Sequence, residues 1–263
     1  MTRGLTRAAI VAAGLDALDQ TGLDGLTIRV VAARLGVQPP ALYWHVRSKQ
    51  DLLDEMATEI WRQIGAGLAA LEPDLPWDQA MTAFATITRR ALLSRRDGAK
   101  MVSGTYLTDP ALLRAQEAGL AWLARQGFTV ADAVRAYQLL YSFTIGFCIE
   151  EQAVAQAAGD ERYSLEHRAE RVGAADHPLV VQAGPVIFGD PDARFAGLVA
   201  VIVDAAGRMR SVAGEVLSRP NGRGFTPCGP RPPRRGSPGQ APADGIRGRG
   251  WPDLMARWTR TRS

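Results

Sequence analysis

Residues 27–49 read Thr-Ile-Arg-Val-Val-Ala-Ala-Arg-Leu-Gly-Val-Gln-Pro-Pro-Ala-Leu-Tyr-Trp-His-Val-Arg-Ser-Lys. Thr27 is suited to cap a short helix over about 28–35, because its hydroxyl can accept from an otherwise unpaired backbone N–H. Gly36 supplies a tight turn. A further short helix begins near Pro39-Pro40, where proline is tolerated because the first-turn N–H has no helical partner. Val31, Ala32, Leu35, Val37, Leu42 and Val46 then have the spacing to glue the pair to a supporting helix. The arrangement predicts a helix-turn-helix, whose second helix enters the DNA major groove. Gln38, Tyr43, Trp44, His45 and Lys49 are placed to project from it. Adjacent Tyr43, Trp44 and His45 cannot all face a core from one helical turn.

Outward from this stretch, almost everything before residue 217 reads as helix, rich in Ala, Leu, Arg, Glu and Gln and without apolar/polar alternation. A first helix is predicted over 5–20, with Ala9, Ile10, Ala13, Ala17 and Leu18 on one stripe and a stop at Thr21-Gly22. Ser48-Lys49-Gln50-Asp51 has the spacing of a capping box and opens a fourth helix with apolar Leu52, Leu53, Met56, Ile60 and Ile64. Pro73 and Pro76 break the chain before a helix from Trp77 to Ser94. Others follow at Pro110–Arg125, about Val130–Ala158 and about Pro191–Leu217, and 159–190 reads as polar and irregular. From Arg219 the composition turns to Pro, Gly and Arg, which predicts a segment unable to bury enough apolar surface to order itself. The expected fold class is therefore all-α, with a helix-turn-helix DNA-binding domain at 1–50, a helical effector-binding and dimerisation domain at 51–217, and a tail at 218–263.

The formal net charge of +4 is unevenly placed. Residues 1–50 carry six Lys/Arg against three Asp, and residues 219–263 carry ten Arg against two Asp, which leaves −7 on the chain between them. An acidic middle behind a basic head implies that the head is what approaches phosphates. Two cysteines, Cys148 and Cys228, suggest a reducing compartment, and no apolar run approaches ~18 residues, so a cytoplasmic protein with no membrane span is expected. No Ser/His/Asp or Cys/His constellation and no Gly-rich phosphate loop is present, so neither an enzyme nor a cofactor is expected. His167 and His177 lack carboxylate or cysteine companions at ligand spacing, so no metal site is expected either.

The run from Gly25 through Lys49, with Leu52-Leu53, resembles the N-terminal domain of TetR-type transcriptional repressors. The likeness continues at Ala91–Lys100, Gly104-Thr105, Gln126-Gly127-Phe128, Phe143–Gly146 and Glu150–Gln152, which are similar to the ligand-responsive half of tetracycline repressors, over roughly residues 5–215. It implies a homodimer on a palindromic double-stranded DNA operator, with Thr27, Arg29, Gln38, Pro39, Pro40, Ala41, Tyr43, Trp44, His45 and Lys49 at the DNA surface. Arg29 would read a guanine edge, while Thr27, Tyr43, His45 and Lys49 would touch phosphates. Trp44 would rest on the backbone or a thymine methyl. Pro39 stands where the tetracycline repressors carry a base-reading glutamine, and Ala41 where they carry a threonine, so a different operator is expected.

In the ligand half the same resemblance places a metal-binding histidine at the position of Val102, which has no lone pair for a cation. The implied effector is a small, largely apolar molecule taken without metal, lined by Phe84, Thr88, Val102, Thr105, Leu139, Phe143 and Glu150. Gly65 and Gly119 stand where polar drug contacts occur in the tetracycline repressors. The helices at 130–158 and 191–217 would form a four-helix dimer bundle, with Val199, Ile202, Val203 and Ala206 as the buried stripe. A repressor released by its ligand and an activator that needs one share every residue named here, so both readings stand. A small-molecule-sequestering protein stands behind them.

Overall fold

Thr6, Thr27, Ser48, Thr129 and Ser164 each offer a side-chain oxygen to the backbone N–H three residues on, at 3.0–3.2 Å. Asp190 does the same for Ala193, and Asp109 for Ala111 two residues on, both at 2.9 Å. Each cap satisfies a donor that the first helical turn leaves unpaired. They set the starts of seven helices in the computed structural model, which describes residues 5–72, 74–157, 164–173 and 175–210. The helices are α1 (Arg7–Gly25), α2 (Ile28–Arg34), α3 (Pro39–Leu42), α4 (Lys49–Ala69), α5 (Trp77–Leu93), α6 (Gly98–Val102), α7 (Pro110–Arg125), α8 (Val130–Gln156), α9 (Leu165–Val172), α10 (Pro178–Phe188) and α11 (Pro191–Gly207). The all-α class expected from the sequence is what the structure has. The predicted tail at 218–263, and the last turns of the predicted final helix at 211–217, lie outside the described residues.

One apolar core runs from Ile10 of α1 to Ala206 of α11, and α4 carries it from head to body through Leu52, Met56, Ile60 and Ile64. All four are at most 1% exposed. Truncating any one to alanine removes contacts in a close-packed interior, at a cost of about 2–5 kcal/mol. Within the head, Val31, Ala32, Leu42 and Val46 are buried and Leu35 and Val37 half-buried, as their spacing predicts. In α1 the predicted stripe is buried except for Ala9, which is exposed.

Three differences from the sequence reading have local causes. The predicted stop at Thr21-Gly22 is a kink: Gly22 takes φ 68°, and a last turn continues to Gly25. A side chain there would be strained, and its Cβ would also lie 2.9 Å from Asp97 Oδ2. The stretch read as irregular, 159–190, contains α9 and α10, which pack on each other. Their short, polar or proline-interrupted sequences hide a helical period, while Ser164 and Pro178 provide the starts. Finally, α6 is a five-residue helix, too short to carry a readable period.

In α11 the stripe Val199, Val203 and Ala206 is buried with Phe195 against the chain's own α5 and α8. It is thus occupied within one subunit rather than left for a partner. The large apolar residues of α11 that remain exposed are Leu198 and Val201, at 45% and 64%.

Candidate DNA and effector sites

The helix-turn-helix is held as a rigid head. Arg7 of α1 donates through Nη1 to Glu55 Oε1 of α4 at 2.6 Å and through Nη2 to the His45 carbonyl at 2.9 Å. One guanidinium therefore fastens the end of the recognition element to both flanking helices. Glu55 is 7% exposed while the Arg7 side chain stays 58% exposed, so the pair sits at the rim of the core with its carboxylate turned inward. The Asp51 carboxylate accepts from Arg47 N–H at 3.1 Å, closing the turn between α3 and α4.

On this frame Thr27, Arg29, Gln38, Pro40, Tyr43, Trp44 and Lys49 are exposed, and Pro39, Ala41 and His45 half-exposed. Trp44 is 89% exposed and Tyr43 52%, so neither aromatic belongs to the core. Leaving an indole that open is unfavourable for a free chain unless something covers it. Thr27 Oγ1 accepts from Val30 N–H as the α2 cap, which leaves its own O–H to donate outward. Gln38 precedes α3 without capping it, so its amide is not used there. Lys49 Nζ donates to the Leu23 carbonyl at 3.0 Å and remains exposed.

The head meets the body at the turn between α5 and α6. Asp97, the non-glycine residue with positive φ (54°) among the described residues, accepts from Leu23 N–H at 2.8 Å and from Gln156 Nε2 of α8 at 2.8 Å. Partial burial works to raise its pKa. The hydrogen bonds from Gln156 and Leu23, and the charges of Arg96 and Lys100, outweigh this and hold the carboxyl below the ordinary range. Arg95 Nη1 pairs with Asp19 Oδ2 at 2.6 Å, and Arg96 N–H donates to Asp19 Oδ1 at 3.0 Å. Gln152, 9% exposed, accepts from Ala99 N–H and donates to the carbonyls of Leu92 and Arg95. Hydrogen bonds of Asp97 and Asp19 thus join the start of α6 to α1 and α8, beside the apolar core that α4 carries between head and body.

In the body the residues expected around an effector separate. Phe84, Thr88 and Val102 are buried, at 9%, 0% and 2% exposure. The Thr88 hydroxyl has no hydrogen-bond partner. Thr105 is half-buried and donates to the Val102 carbonyl at 2.6 Å. Phe143 is not with Phe84: it packs on Phe147 and Phe195 in the seam between α8 and α11, with centroids 5.7 Å apart in each case. Leu139 is 45% exposed and Glu150 is also on the outside. Both are rotated about the α8 axis away from Leu140 and Cys148, which face the core, because neighbouring helical residues differ by about 100°. Sequence reasoning missed Trp61, Tyr137 and Tyr141, which join Phe84: centroids are 5.0 Å apart for Phe84–Tyr137 and 5.6 Å for Trp61–Tyr141. The Tyr137/Tyr141 spacing of one helical turn was the available signal.

Two clefts lie elsewhere. One of about 380 Å³ is bordered by Asp74, Pro76, Trp122 and Arg125, and one of about 260 Å³ by Leu165, Val172, Val181 and Pro185. Among the described residues no group of three or more His, Cys, Asp and Glu could hold a metal ion, and no helix is long and apolar enough to cross a membrane. Cys148 is buried, and desolvation, reinforced by Glu151, pushes its thiol up to about 12, so it stays protonated and unreactive at neutral pH.

A rigid helix-turn-helix with exposed aromatics, hydrogen-bonded to an all-helical body, defines a helix-turn-helix transcriptional regulator. Residues 10–56 match the family described as bacterial regulatory proteins, tetR family, and residues 70–205 the tetracyclin repressor-like C-terminal domain. The chain belongs to the tetR family. It is 38% identical to the tetracycline repressor protein class A from transposon 1721 of Escherichia coli over 209 residues, 79% of this chain and 93% of that one. It is 35% identical to the class C repressor of Escherichia coli, over 81% of this chain and 95% of the relative. Among solved structures, a possible TetR family transcriptional regulator from Streptomyces coelicolor A3(2) aligns with TM-score 0.69 at 33% identity, over 78% of this chain and 100% of that one. The class A TetR in complex with 5a,6-anhydrotetracycline and magnesium aligns with TM-score 0.61 at 33% identity, over the same shares.

Proposed function

We propose that the protein is a repressor that binds a palindromic operator as a homodimer and is released by a small, largely apolar effector taken up without a metal ion. The observation that carries this reading is the direct coupling of head to body: Asp97 joins the α1 backbone at Leu23 to α8 at Gln156. A ligand seated against α5, α6 and α8 that prefers one position of α6 biases the position of both heads, by as much as its affinities for the two arrangements differ. Thr27, Arg29, Gln38, Tyr43, Trp44, His45 and Lys49 contact DNA in this reading. Pro39, Pro40 and Ala41 shape the approach of α3, and Arg29 reads a guanine.

Val102, a buried hydrocarbon with nothing to offer a cation, supports release without metal. The exposed Leu198 and Val201 of α11 extend the dimer seam beyond the intrasubunit stripe. A mobility-shift titration of pure protein against the DNA flanking its gene tests the reading. Retardation at nanomolar protein, lost on substituting Tyr43 and Lys49 by Ala, is the expected result. Absence of retardation on any of that DNA overturns it, and an in vivo effect that survives both substitutions points instead to sequestration.

A further inference from the structure

We propose that the cleft between the Asp74–Pro76 turn and the last turn of α7 is a second small-molecule site, and that it takes a zwitterion with an apolar body: a free α-amino acid with an apolar side chain. The cleft is about 380 Å³ and is lined by Asp74, Leu75, Pro76, Trp122, Arg125 and Gln126. Small-ligand sites begin at roughly 300 Å³, so its size suits a molecule of this class. It shares no lining residue with the surface of α5, α6 and α8 invoked for the effector. It also lies beyond the end of α4 remote from the head: that helix starts at Lys49 and runs for 21 residues, a rise of about 30 Å, before the chain reaches this turn.

Local bonds fix both walls. Leu75 N–H donates to the Glu72 carbonyl at 3.2 Å, closing the turn ahead of Pro76 and α5. Gln126 N–H donates to the carbonyls of Trp122 and Leu123 at 3.2 and 3.0 Å, and Gly127, at φ 91°, turns the chain back after α7. Trp77, next to Pro76, and Phe128, two residues after Gln126, then meet edge to face with centroids 5.2 Å apart. Arg210 ties the two walls together. Its guanidinium lies 5.2 Å from the Trp77 centroid and 5.9 Å from that of Phe128, and its Nε donates to the Gln126 carbonyl at 2.8 Å. The width of the cleft is thus set by the protein's own contacts, as in a site formed ahead of its ligand.

The lining is chemically divided. Leu75, Pro76 and the half-buried Trp122 indole supply apolar surface, while Asp74 and Arg125 are exposed charges of opposite sign. These two charges line one cleft without pairing with each other. Among the described residues, the Asp74 carboxylate, the Arg125 guanidinium, the Trp122 indole N–H and the Gln126 side-chain amide have no hydrogen-bond partner. By contrast Arg62, Arg89 and Arg95 each hold a carboxylate within 3.1 Å. An unpaired set of this kind selects by repulsion as well as attraction. A ligand that is only anionic meets Asp74, and one that is only cationic meets Arg125. A ligand carrying both charges satisfies both groups: its carboxylate suits the planar fork of Arg125, and its ammonium suits Asp74. An apolar side chain then covers Trp122.

Calorimetric titration of the full chain at neutral pH with four probes tests the assignment: phenylalanine, 3-phenylpropanoate (no ammonium), 2-phenylethylamine (no carboxylate) and glycine (no apolar body). Phenylalanine is expected to bind at least about tenfold more tightly than each of the others. Arg125→Gln is expected to weaken phenylalanine about tenfold without weakening 2-phenylethylamine, and Asp74→Asn to weaken phenylalanine about tenfold without weakening 3-phenylpropanoate. Both side chains are exposed and unpaired, so neither substitution removes a contact that holds the fold. Absence of phenylalanine binding overturns the proposal, as does equal or tighter binding of a probe with one charge. Phenylalanine affinity unchanged in both variants overturns it as well, because the ligand then sits elsewhere. The site stands apart from effector release, which none of these titrations measures.

Discussion

The backbone N–H of Leu23 donates a 2.8 Å hydrogen bond to Asp97 Oδ2, across a sequence separation of 74 residues. Its geometry depends on two unusual backbones meeting: Gly22 at φ 68° and Asp97 at φ 54°. Aspartate tolerates the left-handed region better than most side chains, and glycine tolerates it freely. In the proposed mechanism this bond is one of the links by which the body sets the position of the DNA-reading head.

Asp97→Ala removes the acceptor for both Leu23 N–H and Gln156 Nε2 and places a Cβ residue without a local hydrogen bond in the left-handed region. A loss of about 2 kcal/mol is expected, from bonds to a charged group worth about 1.5–3 kcal/mol. The folded carboxyl titrates below its ordinary pKa. Its contribution is therefore complete above the unfolded value near 4 and is lost as pH falls through the folded one. Thermal melts of the two proteins should differ by a constant amount above about pH 5, and the difference should shrink in acid to the pH-independent cost of alanine in the left-handed region. A difference that does not shrink at low pH would show that the charge is not what matters.

Gly98 opens α6 directly against the preceding helix, where a Cβ would lie 2.2 Å from the Leu92 carbonyl oxygen. Backbone cannot move aside as a flexible side chain can. Gly98→Ala is expected to cost about 2–4 kcal/mol in urea unfolding. Gly119→Ala, in open space on α7, should instead gain about 0.8–1 kcal/mol from helix propensity.

Arg89 of α5 joins Glu151 of α8 at 2.6 Å and Asp192 of α11 at 2.6 Å, with its guanidinium 5.0 Å from the Phe195 centroid. Hydrogen bonding to Glu151, followed by Asp192, outweighs desolvation and raises its pKa. Arg89→Met keeps the stem but strands Glu151, whose side chain is 17% exposed. A loss of about 3 kcal/mol is expected. Adding Glu151→Gln should recover more than half of it, measured as the shift in the denaturation midpoint. No recovery would mean that the stacking on Phe195, rather than the stranded charge, accounts for the loss.

Val201 and Leu198 are one helical turn apart on the outer side of α11. Val201→Asp places a charge in the proposed dimer seam. Light scattering on a sizing column should report the monomer mass, with operator affinity falling at least about a hundredfold, since one half-site carries too few contacts. A dimer of unchanged mass would move the seam elsewhere.

Lys49→Ala should weaken operator and unrelated DNA alike and lower the salt dependence of binding by about one counterion, whereas Arg29→Ala should cost about 1–3 kcal/mol on the operator alone. Parallel titrations at several salt concentrations distinguish the two. Equal losses for both variants on both DNAs would remove Arg29 from base reading.

The sequence by itself determined the helix-turn-helix and the starts of the helices other than α6, α9 and α10, because those depend on interactions within three or four residues. Thr27 caps Val30, Ser48 caps Asp51, Pro110 follows Asp109, and the apolar period from Val31 to Val46 closes the head on itself. It also showed Tyr43 and Trp44 as outward residues, since three consecutive large side chains cannot share one face. Only the tertiary structure decided which way the long helices turn. Val199, Val203 and Ala206 serve the subunit's own core, Leu139 and Glu150 face outward, and Phe143 joins α11 rather than Phe84. Helices α9 and α10 likewise become legible only where they pack on each other. The Leu23–Asp97 bond and the ring cluster of Trp61, Phe84, Tyr137 and Tyr141 bring together residues far apart in the chain, and their meeting depends on helix crossing angles that no local pattern encodes.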